Sequence, residues 1–147
     1  MFMVKEKKIY SEIIESDAYQ VCKEVRTILD RLQMTSCVDT EQCFDIKVIL
    51  NELLQNAIRH GNGSGSGKKI RVDVWLQDNS KVLGITVRDQ GNGFNAAKIM
   101  EMKAAKASID DPMNMDESGR GLFIVQNLCD GIVFNHLGNE VTVHKRL

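Results

Sequence analysis

The chain lacks a surplus of either charge. Nineteen basic side chains stand against twenty acidic ones in 147 residues, a formal net charge of -1 with no long run of either sign. Nucleic acid and anionic membrane surfaces are therefore poor partners, because both are bound chiefly through excess Lys and Arg. No apolar run approaches the ~18 residues that a membrane-spanning helix needs, and the opening Met1-Phe-Met-Val-Lys-Glu-Lys-Lys8 has no hydrophobic signal region. The four cysteines, Cys22, Cys37, Cys43 and Cys129, show no CxxC spacing and mostly sit in apolar-periodic stretches. Buried, reduced thiols are expected in place of a disulfide framework. A soluble, cytoplasmic protein is the expectation. The length suits one domain spanning 1–147, with enough chain for a sizeable core.

The apolar pattern predicts alternating groups of strands and helices. An opening strand over 7–14 leads to Ser16-Asp17, a helix cap, and a helix over 18–33 with Val21, Val25, Ile28, Leu29 and Leu32 on one face. Asp39 or Thr40 caps a second helix over 41–60, carrying Phe44, Val48, Leu50, Leu53, Leu54, Ala57 and Ile58, which Gly61 stops. The glycine-serine run 61–67 connects to two alternating stretches, 70–76 and 82–87, which form a hairpin around Asp78-Asn79-Ser80. A short helical segment over 99–107 precedes a polar stretch, 110–117, whose composition suits a lid over a pocket. A helix over 119–129 and strands over 132–136 and 141–145, joined by Leu137-Gly-Asn139, complete the chain. Strands in hairpins with grouped helices give an α+β class: a mixed, largely antiparallel sheet with helices packed on one face.

Three short clusters carry chemistry. Glu52 and Asn56 stand four apart on the second helix and so share a face. There an amide oxygen can hold a magnesium ion while a carboxylate beside it awaits a proton. Asp89 ends a strand and can accept a hydrogen bond from an exocyclic amine such as that of adenine; Gly91 and Gly93 behind it let the backbone turn and approach a ligand closely. Gly119, Arg120 and Gly121 open a helix, where free N–H groups and the positive dipole end suit phosphate.

Each cluster alone has an ordinary explanation: Asp89 a turn, Glu52 and Asn56 a solvated helix face. Their conjunction, in this order and on these elements, favours a nucleotide pocket. Other signals fail on context. Asn62-Gly-Ser-Gly-Ser-Gly67-Lys68-Lys69 imitates a P-loop, yet Asn62 replaces its first glycine, Lys69 replaces the hydroxyl residue, and a strand follows where a helix should. Gly91-Asn-Gly93-Phe-Asn-Ala96 passes a loose dinucleotide fingerprint without the second strand and acidic end that the fingerprint requires. His60 suits the negative end of its helix dipole. His136 and His144 fall in predicted strands without ligands at metal spacing, and Trp75 reads as a packed strand aromatic.

The three clusters in sequence resemble the nucleotide pocket of the Bergerat-fold (GHKL) ATP-binding superfamily. Within it the likeness is greatest to bacterial anti-sigma factor serine/threonine kinases. Leu50-Asn-Glu-Leu-Leu-Gln-Asn-Ala-Ile-Arg-His-Gly61 resembles their N box, Val87-Arg-Asp-Gln-Gly-Asn-Gly-Phe94 their first glycine box, and Glu117-Ser-Gly-Arg-Gly-Leu-Phe-Ile-Val125 their second. The likeness spans about 8–147. It implies a two-layer α/β sandwich with an ATP lid over about 94–118.

It further implies ATP and magnesium as ligands. Asn56 would ligate the metal, Glu52 would act as catalytic base toward a substrate hydroxyl, and Asp89 would select adenine. Gly91 and Gly93 would shape the floor, while Gly119, Arg120 and Gly121 would meet the phosphates. Sensor histidine kinases share the pocket but commonly carry Asn where this chain has Glu52. A neutral imidazole acceptor is already nucleophilic, whereas a serine hydroxyl benefits from a base. The chain also leaves no room for a phosphoacceptor helix pair before the pocket. The resemblance therefore implies a protein serine kinase that sequesters a sigma factor and phosphorylates a STAS-fold anti-sigma factor antagonist, commonly as a homodimer. The alternative is a non-catalytic, ATP-dependent partner-switching module, against which the intact Glu52 argues.

Overall fold

A computed structural model describes residues 6–62, 68–91 and 117–147. Along the chain these form β1 (Lys7–Glu15), α1 (Ala18–Thr35), α2 (Thr40–Asn56), a π-helical turn (Ala57–Asn62), β2 (Lys69–Gln77), β3 (Val82–Arg88), α3 (Glu117–Leu128), β4 (Gly131–Phe134) and β5 (Glu140–Arg146). The strands lie in the order β1-β2-β3-β5-β4, and every pairing among the described residues is antiparallel. The described sheet is thus antiparallel throughout, without the mixed pairing allowed for in the sequence. Gly93, the segment 99–107 and all but the last two residues of the lid expected over about 94–118 lie outside the described residues. None of the described helices is long and apolar enough to cross a membrane.

Both early helices start where the caps predict. Asp17 accepts the Tyr19 N–H at 2.9 Å, and Asp39 forms a reciprocal capping box with Gln42. The buried stripe of α1 is Val21, Val25, Ile28 and Leu32. That of α2 is Ile46, Ile49, Leu50, Leu53 and Leu54, and Phe44 and Val48 lie off it. At 100° per residue Phe44 stands well off the Ile46 stripe, and it is 64% exposed. The α-helix also ends earlier than expected. The Ala57 N–H is shared between the Leu53 and Leu54 carbonyls, and the chain widens into the π-helical turn that contains Gly61.

The helices cover one face of the sheet. Alternate residues Ile70, Val72, Val74 and Leu76 of β2 and Leu83, Ile85 and Val87 of β3 meet them, with Val141 and Val143 of β5. The outer face carries Trp75, whose ring covers Gly84: a Cβ there would lie 2.2 Å from Trp75 Cε2. The edge of His144 meets the same ring at 6.0 Å. His136 lies in the β4–β5 turn and not in a strand, because β4 stops at Phe134. The cysteines are free but less buried than expected: Cys22 and Cys37 are exposed, and Cys43 and Cys129 half-buried. Cys22 stands one step off the Val21–Val25 stripe, and Cys37 falls in the α1–α2 connection.

Two contacts set the position of α3. Leu122 and Val125 are buried against the core, each worth about 1.5–3 kcal/mol when fully removed from water. At the far end Lys145 Nζ donates to the Leu128 carbonyl at 2.7 Å and lies 4.0 Å from Asp45 of α2. A cation on the last carbonyls of a helix satisfies an orphan acceptor and complements the dipole. The two ends together fix α3 against α2.

Candidate functional site

A cleft opens where α2, the end of β3, α3 and the β4–β5 turn converge. It is lined by Leu53, Asn56, Ala57, Val87, Asp89, Leu122, Phe134 and the backbone turn Gly138–Val141. Most of this lining is apolar, and among the described residues Asn56 and Asp89 are the buried polar side chains. An apolar cleft with a few placed polar groups is the usual form of a small-molecule site.

Asn56 ends α2 and is 7% exposed. Among the described residues neither its Oδ1 nor its Nδ2 has a hydrogen-bond partner. An amide left so costs about 1–3 kcal/mol per unpaired group, which a protein rarely sustains without a ligand or water to meet it. A hard cation such as magnesium takes oxygen donors, and the Asn56 amide oxygen fits that requirement.

Glu52 sits one turn earlier on α2 and is half-buried. Its carboxylate lies against α3 at Gly121, where a Cβ would come within 2.4 Å of Glu52 Oε2. Gly121 is the fifth residue of α3, because the helix begins at Glu117 and not at Gly119. It therefore stands beyond the N–H groups left free at the helix start, which belong to the turn containing Gly119. The absence of a side chain at Gly121 makes room for Glu52. Arg120 is half-buried beside it.

Asp89 follows the last residue of β3 and is 8% exposed. Its Oδ1 accepts the Gly91 N–H at 2.7 Å, and its own N–H donates to the Asn139 carbonyl at 2.9 Å. Burial pushes its carboxyl above the ordinary value, opposed by the Gly91 N–H and by the charge of Lys68. The first glycine after the aspartate thus orients the carboxylate, leaving Oδ2 for another donor.

The structure brings Asn56, Asp89 and the Glu52–Gly121 pair to one region. The sequence reading missed the wall opposite α2, formed by Phe134, Gly138, Asn139 and Glu140. In the sequence Leu137-Gly-Asn139 shows itself only as the join between two strands. The Gly138-Asn139 pair is the signal in the sequence, since both residue types mark a turn with a defined shape, and Gly138 takes φ 78° there.

A model of the histidine kinase-like ATPase domain matches residues 14–145. The anti-sigma F factor of Bacillus velezensis is 26% identical over 110 residues, covering 73% of this chain and 71% of that protein. That of Bacillus subtilis shares the same identity and coverage. The serine-protein kinase RsbW of Oceanobacillus iheyensis is 24% identical over 96 residues, covering 65% of this chain and 60% of that protein.

Proposed function

Because the chain belongs to the histidine kinase-like ATPase family and has its Bergerat-type fold, we propose that it is an anti-sigma factor and ATP-dependent protein serine kinase. It sequesters a sigma factor and phosphorylates a serine on a STAS-fold antagonist, which leaves the sigma factor bound. The observation that carries this reading is the buried, unpartnered Asn56 amide one turn from Glu52, in a cleft that also holds Asp89. The names of the similar relatives support a sigma factor as partner and serine kinase activity.

In this reading Asp89 accepts a hydrogen bond from the adenine amine through its free oxygen, and the apolar walls sandwich the base. Asn56 holds magnesium, which when bound neutralises phosphate charge. Gly91 shapes the floor, and the helix start at Gly119, with Arg120, meets the phosphates. Glu52, lodged against α3 in the space that Gly121 leaves open, takes the proton from the substrate serine as the phosphoryl group transfers. Phosphoryl transfer of this type depends on positioning and electrostatics. The protein works in the cytoplasm as a homodimer.

The test is capture of partners from lysate with and without ATP, followed by labelled-phosphate transfer to the recovered STAS protein. A serine phosphorylated by wild type and not by Glu52→Gln is expected. Partner capture that depends on ATP without any phosphate incorporation would instead identify a non-catalytic switch.

A further inference from the structure

The base-binding end of the cleft rests on a side chain that does not itself line it. After Phe134 closes β4, Asn135 turns its side chain into its own hairpin. Its Oδ1 accepts three backbone N–H groups: Gly138 at 2.7 Å, Asn139 at 3.0 Å and Glu140 at 3.2 Å. Its Nδ2 donates to Asn139 Oδ1 at 2.6 Å. The main chain closes the same turn, with Asn135 N–H donating to the Glu140 carbonyl at 3.0 Å and Gly138 N–H to the Asn135 carbonyl at 3.1 Å. Gly138, at φ 78°, permits the left-handed step that gathers the three N–H groups around one oxygen.

The turn so held is part of the site. Gly138, Asn139 and Glu140 line the cleft, and the Asn139 carbonyl accepts the Asp89 N–H at 2.9 Å. A chain of direct bonds therefore runs from the Asn135 amide to the Asn139 backbone, then to the Asp89 backbone, and ends at the carboxylate. We infer that Asn135 is a positioning residue for the nucleobase: it fixes the wall of the cleft and, through the Asn139 carbonyl, the place of Asp89. The inference rests on the nucleotide reading of the cleft and deepens it. The side chain required has an acceptor with room for three donors and, on the same planar group, a donor for Asn139. Ser is too short to reach all three N–H groups, and Ala removes every one of these bonds.

The role predicts a loss confined to the base. Calorimetry of wild type, Asn135→Ala and Asn135→Asp with Mg-ATP and with Mg-tripolyphosphate separates the base from the phosphates. Asn135→Ala should weaken ATP about tenfold, the factor that one net hydrogen bond contributes, while tripolyphosphate affinity stays within about twofold. Asn135→Asp keeps the triple acceptor, and the Asn139 amide can turn to donate to it, so ATP should remain within about threefold. Should the alanine variant not fold, Asn135→Gln retains the amide but moves it by one methylene, and the same base-confined loss is expected. An unchanged ATP affinity in Asn135→Ala, or equal losses for ATP and tripolyphosphate, would overturn the inference and leave the nucleotide reading standing. Wild-type protein that binds neither ligand would overturn both.

Discussion

Gly121 of α3 and Glu52 of α2 share one space: a Cβ on the glycine would lie 2.4 Å from Glu52 Oε2. The carboxylate can occupy its position only because α3 presents no side chain there. Gly121→Ala should therefore displace Glu52, although alanine favours a helix interior over glycine by about 1 kcal/mol. A displacement of the order of 1 Å in a catalytic group costs about a hundredfold. Single-turnover phosphorylation should fall by roughly that factor, with a much smaller change in ATP affinity by calorimetry. A Gly121→Ala protein with wild-type transfer rate would show that the position of Glu52 is unimportant.

The orphaned amide of Asn56 makes a separate claim. Asn56→Ala removes two unpaired polar atoms from a buried place, and the desolvation so relieved offsets the lost packing. The unliganded protein should melt within a few degrees of wild type. ATP affinity should fall much more in magnesium than in EDTA, because only the metal contact is lost. Equal losses in both conditions would make Asn56 a structural residue.

Asp89 predicts a conflict between stability and binding. Its carboxyl is raised by burial, so the folded state holds a proton more tightly than the unfolded chain. Stability then falls as pH rises from the ordinary carboxylate range through the raised folded value, and the penalty is complete above it. Asp89→Asn abolishes that penalty. The variant should melt at or above the wild-type temperature at pH 7 without ligand, an advantage that fades below the ordinary carboxylate range. It should also bind ATP more weakly and prefer it less over GTP, because an amide can donate as well as accept. A variant that melts lower at pH 7 and keeps full ATP affinity would remove Asp89 from the site.

The parts of the site legible in the sequence were those set by local chemistry. Glu52 and Asn56 share a helix face by spacing alone, and Asp89 with Gly91 forms its contact within three residues. Caps at Asp17 and Asp39 and the β2–β3 hairpin were readable for the same reason; its turn places Asp78, Asn79 and Ser80 at positive φ. Contacts between distant segments left no such trace. Its place in a glycine cluster points Gly121 toward phosphate, whereas its fit to Glu52 depends on how α3 packs against α2. Asn135 falls inside the strand expected over 132–136, and its part in the site emerges only when β4 stops at Phe134 and β5 pairs with β3, which brings Asn139 to Asp89. Phe44 stays exposed on α2 because an apolar residue is buried only where it keeps the phase of the helix face.

The most direct test of the account is Glu52→Gln, assayed for ATP binding and for single-turnover phosphate transfer to the antagonist. The amide keeps the size and much of the hydrogen bonding of the carboxylate but cannot take a proton. General-base catalysis is worth about 10²- to 10⁴-fold, and an interaction made only in the transition state costs rate and not ground-state binding. Transfer should fall within that range while ATP affinity changes only a few-fold and sigma-factor binding persists. Transfer at a near wild-type rate would contradict the assignment of Glu52 as the base, and loss of ATP binding would make Glu52 a structural part of the pocket.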